Sequence, residues 1–325
     1  MIGLELAPEH PVAETVDYGV AAERAGFDTV FLSHHYNNRD QFAGLTALAA
    51  ATDEVELGPG VANPYETHPV TLASRMATLD EYADGRGIFG IGPGDAATLS
   101  NLGFERERPL LRVLESFRVA RRLWDGERVE HDGTFRAEGA ALNYAPGPIP
   151  VYVGAQGPHM TRMAAKHADG VLFNGAHPRD YEWASERVAE GLADRPDEYG
   201  EFDFAAYAPV SVASEAEAAR AEARYPVAFV VGSAAEPLLD RHGIDREAAK
   251  AVGEAVAAGE FSDAAERVTD RMLASFAIAG TPEDVEKQVD AVLDYADSFV
   301  AASPLGPDLS EAIPLAGAVL TRSRR

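Results

Sequence analysis

The stretch VELGPGVANPYETHPVTLASRMATLDEYADGRGIFGIGPGD, residues 55–95, holds the pattern that decides the fold. An apolar run at 55–61 leads through Gly60-Val61-Ala62-Asn63-Pro64 into a helical stretch over 69–82. A second apolar run, 87–92, then ends in Gly90-Ile91-Gly92-Pro93-Gly94-Asp95. Strands joined through a helix cannot fold back as a hairpin, so the two runs predict parallel neighbours.

The same rhythm extends in both directions. Upstream lie strands at 2–7 and 28–32, a helix over 12–25 with Val12, Val16 and Val20 on one face, and an Ala/Leu-rich helix to about residue 52. Downstream, strands are expected at 150–153, 170–173, 204–212 and 298–302, with a final amphipathic helix from about residue 309. Thr281-Pro282-Glu283-Asp284 starts a helix with a threonine cap, proline at the first position and acids against the positive dipole end. Eight strands alternating with helices predict an α/β fold, a (β/α)8 TIM barrel forming one domain over residues 1–325.

Two segments break the alternation. Near 126–148 a β-hairpin is expected over 128–136 around Asp132-Gly133. Near 214–280 the chain is alanine-rich and helical, with breaks expected at Pro226, Gly232, Pro237, Gly243 and Gly259. Both read as insertions in the barrel.

The chain has 53 acidic and 28 basic residues, a net charge of −25, and only three lysines, Lys166, Lys250 and Lys287. Coulomb repulsion on that scale argues against nucleic acid or an anionic membrane as partner. An acidic, lysine-poor surface suits concentrated salt, where screening relieves self-repulsion, so a halophilic source is expected. The absence of cysteine excludes disulfides, thiolate nucleophiles and cysteine metal sites. With no leader-like or bilayer-spanning run, a cytoplasmic location is expected.

In a parallel barrel the turns after the strands gather on one face. Six have the composition of such turns: Ser33-His34-His35-Tyr36, 60–64, 90–95, Gly154-Ala155-Gln156-Gly157-Pro158, Asn174-Gly175-Ala176 and Ser303-Pro304-Leu305-Gly306-Pro307. Gly154 to Pro158 precede a helix, so their free N–H groups suit a phosphate or carboxylate. Gly60-Val61 permits close approach of a planar ring or unusual peptide geometry, although an ordinary bulge has the same sequence. No His, Cys, Asp and Glu set has metal-ligand spacing, so no metal is expected, and no G-x-S-x-G elbow points to a serine hydrolase. Glu5, inside an apolar strand, either faces a helix or ends inside the barrel mouth, where burial would raise its pKa toward that of a general acid.

Gly3-Leu4-Glu5, His35-Tyr36-Asn37-Asn38, residues 58–65, 90–95 and 154–158, and 303–308 together resemble the coenzyme F420-dependent 5,10-methylenetetrahydromethanopterin reductases of the bacterial luciferase-like superfamily. The resemblance runs in order along nearly the whole chain. It implies a barrel binding F420 at its mouth, with the family's non-proline cis peptide at Gly60-Val61. The implied reaction moves a hydride from reduced F420 to the one-carbon bridge of a pterin, tetrahydromethanopterin or a tetrahydrofolate equivalent. Glu5 and Gln156 would be the catalytic residues. His35, Gly60, Val61, Asn63, Asp95 and Thr98 would meet the cofactor ring. Its anionic tail would meet the backbone of Ala155, Gln156, Gly157, Pro158 and His159, together with Asn174 and Gly175. A homodimer or homotetramer and an archaeal source are also implied.

One position departs from the family pattern: His34 stands where a carboxylate is usual, which bears on the local proton chemistry and on the pterin accepted. Other luciferase-like oxidoreductases using F420 or FMN, such as an alcohol dehydrogenase or a monooxygenase, remain alternatives. So does a non-catalytic F420-binding barrel.

Overall fold

The computed structural model describes residues 1–323. Its strands are β1 (Ile2–Leu6), β2 (Thr29–Leu32), β3 (Glu56–Pro59), β4 (Phe89–Ile91), β5 (Val129–Asp132), β6 (Arg136–Ala140), β7 (Val151–Ala155), β8 (Gly170–Asn174), β9 (Asp203–Val212), β10 (Ile278–Gly280) and β11 (Ser298–Leu305). In the first half the helices are α1 (Val12–Arg24), α2 (Gln41–Ala49), α3 (Pro69–Tyr82), α4 (Ala96–Asn101), α5 (Pro109–Trp124), α6 (Pro158–His167) and α7 (Pro178–Leu192). The second half has α8 (Ala216–Ser233), α9 (Glu236–His242), α10 (Arg246–Ala257), α11 (Phe261–Arg267), α12 (Asp270–Phe276), α13 (Pro282–Leu293) and α14 (Leu309–Ser323).

Eight parallel strands follow the order β3-β2-β1-β11-β9-β8-β7-β4. The ring closes between β3 and β4 through two isolated parallel bridges, Leu57 to Gly87 and Ala62 to Ile91. This is the expected (β/α)8 barrel, and the eight expected strands are its eight staves. Alternation sorts the side chains: Leu4, Val30, Leu57, Val153 and Ala206 pack outward on the helices. Phe31, Ile88, Leu172, Ala205 and Val300 fill the interior, with Val61, Tyr152 and Tyr207 against them.

The first insertion is an antiparallel hairpin, β5 with β6, turning at 133–135. Arg112 of α5 ties it to the loop after β3. Its guanidinium lies 5.3 Å from the ring centres of both Tyr65 and Phe135, and it donates to the carbonyls of Pro64 and Thr134.

The second insertion, α8 to α12, has an apolar cluster of its own, centred on Ala223, Val227, Val231, Val252 and Met272. Two details differ from the sequence expectation. Pro226 and Gly232 do not break the chain but lie within α8. Gly232 lets α8 meet α10 at Gly253, where an added Cβ would come 2.8 Å from the Gly253 Cα. The insertion also stops short of 280, because Ile278–Gly280 is strand β10, paired with β9. Thr281 then caps α13 with a reciprocal capping box to Asp284. Among the described residues no helix is long and apolar enough to cross a membrane.

Candidate active site

Glu5 alternates along β1 with Leu4 and Leu6, which join the outer core, so its carboxyl enters the barrel. It is 4% exposed. Its Oε2 accepts the Ser303 N–H at 2.8 Å. Burial drives the Glu5 pKa above the ordinary carboxylate value, against opposing hydrogen bonds from Ser33 and Ser303 and the charge of His35. The sequence left two orientations open, and the structure has the interior one.

A raised folded-state pKa means that the fold keeps a proton which the unfolded chain has lost, so stability falls as pH rises from about 4.5 through the raised value. Urea unfolding across that range is expected to show wild type losing stability relative to Glu5→Gln as pH increases. A pH-independent gap between the two would contradict the shift.

The elbow after β3 begins two residues beyond the level of Glu5, toward the C-terminal end of the barrel. The Gly60-Val61 peptide is cis, at the position implied by the resemblance. Gly60 has no room for a side chain: a Cβ would fall 2.8 Å from that of Phe31 and 3.3 Å from the Tyr207 hydroxyl. The Val61 side chain reaches across the mouth toward β4 and β7. A Cβ at Gly92 would come 2.6 Å from Val61, and one at Gly154 3.2 Å. Gly92 and Gly154 thus leave the room that the Val61 side chain occupies, while the bare side of Gly60 faces Phe31 and Tyr207.

Loops after β2 and β3 meet next to it. His34 Nε2 lies 2.9 Å from Glu66 Oε2, and Glu66 Oε1 accepts the Asn63 side-chain amide at 2.7 Å. Asn63 Oδ1 also accepts the N–H groups of Tyr65 and Glu66. Asn63, expected against the ring, therefore spends its polar atoms on shaping this loop. Glu66 thus sets a carboxylate against His34 from a neighbouring loop. Of the remaining ring residues, His35 is exposed and Asp95 caps α4 by accepting the Thr98 N–H at 2.8 Å.

Opposite lie the expected tail contacts. Gly157 caps α6 with no side-chain acceptor, which leaves first-turn N–H groups to a ligand. Gln156, Gly157, His159 and Asn174 are exposed there. Gln156, Asn174 and Gly175 line one groove with Arg241 from the helical insertion. The Tyr181 hydroxyl fixes this elbow by donating to the Gly175 carbonyl at 2.6 Å. Arg241 stacks 4.3 Å over Trp183 and pairs at 2.8 Å with buried Asp180, which His242 also meets at 2.9 Å.

Sequence reasoning missed Tyr207, Glu66 and Arg241. For Tyr207 a signal existed, since alternation along β9 puts it in the interior layer with Ala205. Pairings across loops, such as His34 with Glu66, have no local signature.

The chain matches the luciferase-like monooxygenase family over residues 2–301. It is 41% identical over 321 residues, 97% of each chain, to the 5,10-methylenetetrahydromethanopterin reductase of Archaeoglobus fulgidus. To that of Methanolobus tindarius it is 40% identical, covering 97% of this chain and 98% of the relative. Among solved structures, the coenzyme F420-dependent tetrahydromethanopterin reductase of Methanopyrus kandleri superposes with a TM-score of 0.93 at 33% identity, over 100% of this chain and 99% of that one.

Proposed function

That this chain belongs to the luciferase-like monooxygenase family, in the branch of the methylenetetrahydromethanopterin reductases, is the premise from which we propose its reaction. It reduces the one-carbon bridge of 5,10-methylenetetrahydromethanopterin to a 5-methyl group, with reduced coenzyme F420 as donor. The observation that carries this reading is Glu5, a carboxyl buried inside the barrel with its pKa raised by burial, near Tyr207, whose hydroxyl bonds the Gly60 carbonyl of the elbow after β3.

The residues present suit F420. Val61 presents a half-buried apolar side chain against which a flat ring can rest, and uncapped N–H groups of α6, Asn174 and Arg241 suit an anionic tail. When bound, reduced F420 supplies the hydride. Glu5 holds a proton for the substrate nitrogen that departs as the bridge opens to an iminium ion, and its conjugate base then lies beside that cation. Ser33 and Ser303 fix the carboxyl in place, and the Gln156 side chain orients the reacting centre. Glu66, bonded to His34 and Asn63, adds a fixed negative charge at the same mouth.

Arg241→Gln is expected to weaken F420 binding about tenfold, the size of one charge-assisted contact, while a deazaflavin lacking the phosphate-glutamate tail binds as before. Fluorescence titration with both ligands checks this, and equal losses for both would remove the tail assignment.

A tetrahydrofolate derivative is the second reading, motivated by the acidic surface and by His34. It is the weaker of the two, because Glu66 stands 2.9 Å from His34 and keeps a carboxylate in the loop pair. Coupled assays in high salt with methylene derivatives of both pterins test the choice, and a strong preference for the folate would reverse it. The whole chain acts as one barrel unit, a homodimer or homotetramer on the strength of the family likeness.

A further inference from the structure

Tyr207 is half-buried, packed against the barrel interior, in register on β9 with Asn174 of β8 and Val300 of β11. No step of the proposed reaction uses it. Its hydroxyl donates to the Gly60 carbonyl at 3.1 Å, across the barrel from β9 to the end of β3. Gly60 leaves the sheet there, because β3 stops at Pro59 and only the Gly60 N–H to Leu32 carbonyl bond, 2.8 Å, holds its other side. The two bonds hold the peptide units on either side of the Gly60 Cα. Phe31, packed under Gly60, blocks its descent into the barrel. Val61, the next residue, forms the wall on which a flat ring would rest.

We propose that Tyr207 is a positioning residue that sets the height and tilt of the Gly60-Val61 wall against the cofactor ring. The inference rests on the F420 reading above. The phenol is suited to this task because its ring is locked among Phe31, Leu172 and Val300, so the hydroxyl has one fixed direction. Burial pushes the Tyr207 pKa well above the ordinary value, so the hydroxyl remains a donor.

Tyr207→Phe keeps the ring and its packing while freeing the Gly60 carbonyl. With circular dichroism unchanged, F420 is expected to bind about tenfold more weakly, the loss of one well-made hydrogen bond. The absorption band of bound F420 shifts relative to wild type, and KM for the pterin stays within about twofold. A merely structural role would lower the unfolding midpoint and leave the bound spectrum as it was. Wild-type affinity together with a wild-type bound spectrum in the variant would overturn the inference alone. Wild-type protein that binds no F420 would overturn the functional reading and this inference with it.

Discussion

Replacing Glu5 with Gln is expected to lower turnover by about 10²-fold or more while F420 binds nearly as tightly as to the wild type. Glutamine matches the volume of the side chain, and its carbonyl oxygen can still accept the Ser303 N–H that holds Oε2 at 2.8 Å. What it cannot do is release a proton to the substrate nitrogen or leave a carboxylate beside the cation. Ground-state binding and catalysis therefore separate in this variant: KM for F420 stays near wild type and kcat falls. Spectroscopic titration and steady-state rates measure the two halves. Full turnover in Glu5→Gln would eliminate the acid role, and lost F420 binding would show that the residue serves the cofactor pocket instead.

The second large effect is on stability. Gly90→Ala is expected to destabilise the fold by more than about 3 kcal/mol, at the upper end of overpacking penalties, because no flexible group can yield. A Cβ there would lie 1.9 Å from the Pro59 carbonyl oxygen and 3.1 Å from its carbon, both main chain. Relief would require β3 and β4 to part at the seam where the barrel closes. That seam is thin. Near Gly90 it depends on the Ala62 N–H to Gly90 carbonyl and Gly92 N–H to Ala62 carbonyl bonds, each 2.9 Å, and lower down on the Leu57 N–H to Arg86 carbonyl and Ile88 N–H to Leu57 carbonyl bonds. Gly157→Ala is the control: nothing lies within 4 Å of its added Cβ and its φ is −99°, so only the poorer N-cap remains and its cost is expected at about 1 kcal/mol or less. Chemical unfolding of both variants decides, and similar midpoints would mean that the seam is looser than its geometry.

The barrel was legible in the sequence because each strand and helix carries its own period. The helix over 69–82 and the cap at Thr281 stand where the residues predict. Other features depend on partners distant in the chain. Pro226 and Gly232 have the composition of breaks, yet α8 runs through both, supported by packing of Gly232 on Gly253. The direction of Glu5 could not be read, since a barrel strand is buried on both faces and lacks the polar marker that orients a half-exposed one. The third strand was expected to reach Val61 but ends at Pro59, because Gly60 bonds to Tyr207 on the far side of the ring. The glycine elbows were recognised as a set, and the physical reason for two of them, Gly92 and Gly154 making room for Val61, emerged only when β3, β4 and β7 were placed together.

The helical insertion keeps an apolar cluster separate from that of the barrel, and one of its ties to it is the charged pin of Asp180 with Arg241 and His242. A substitution in the lobe that loosens this pin would reach the groove at Asn174, which Asp180 and Arg241 both line, while α8, packed on β9 and β10, still holds the lobe to the staves.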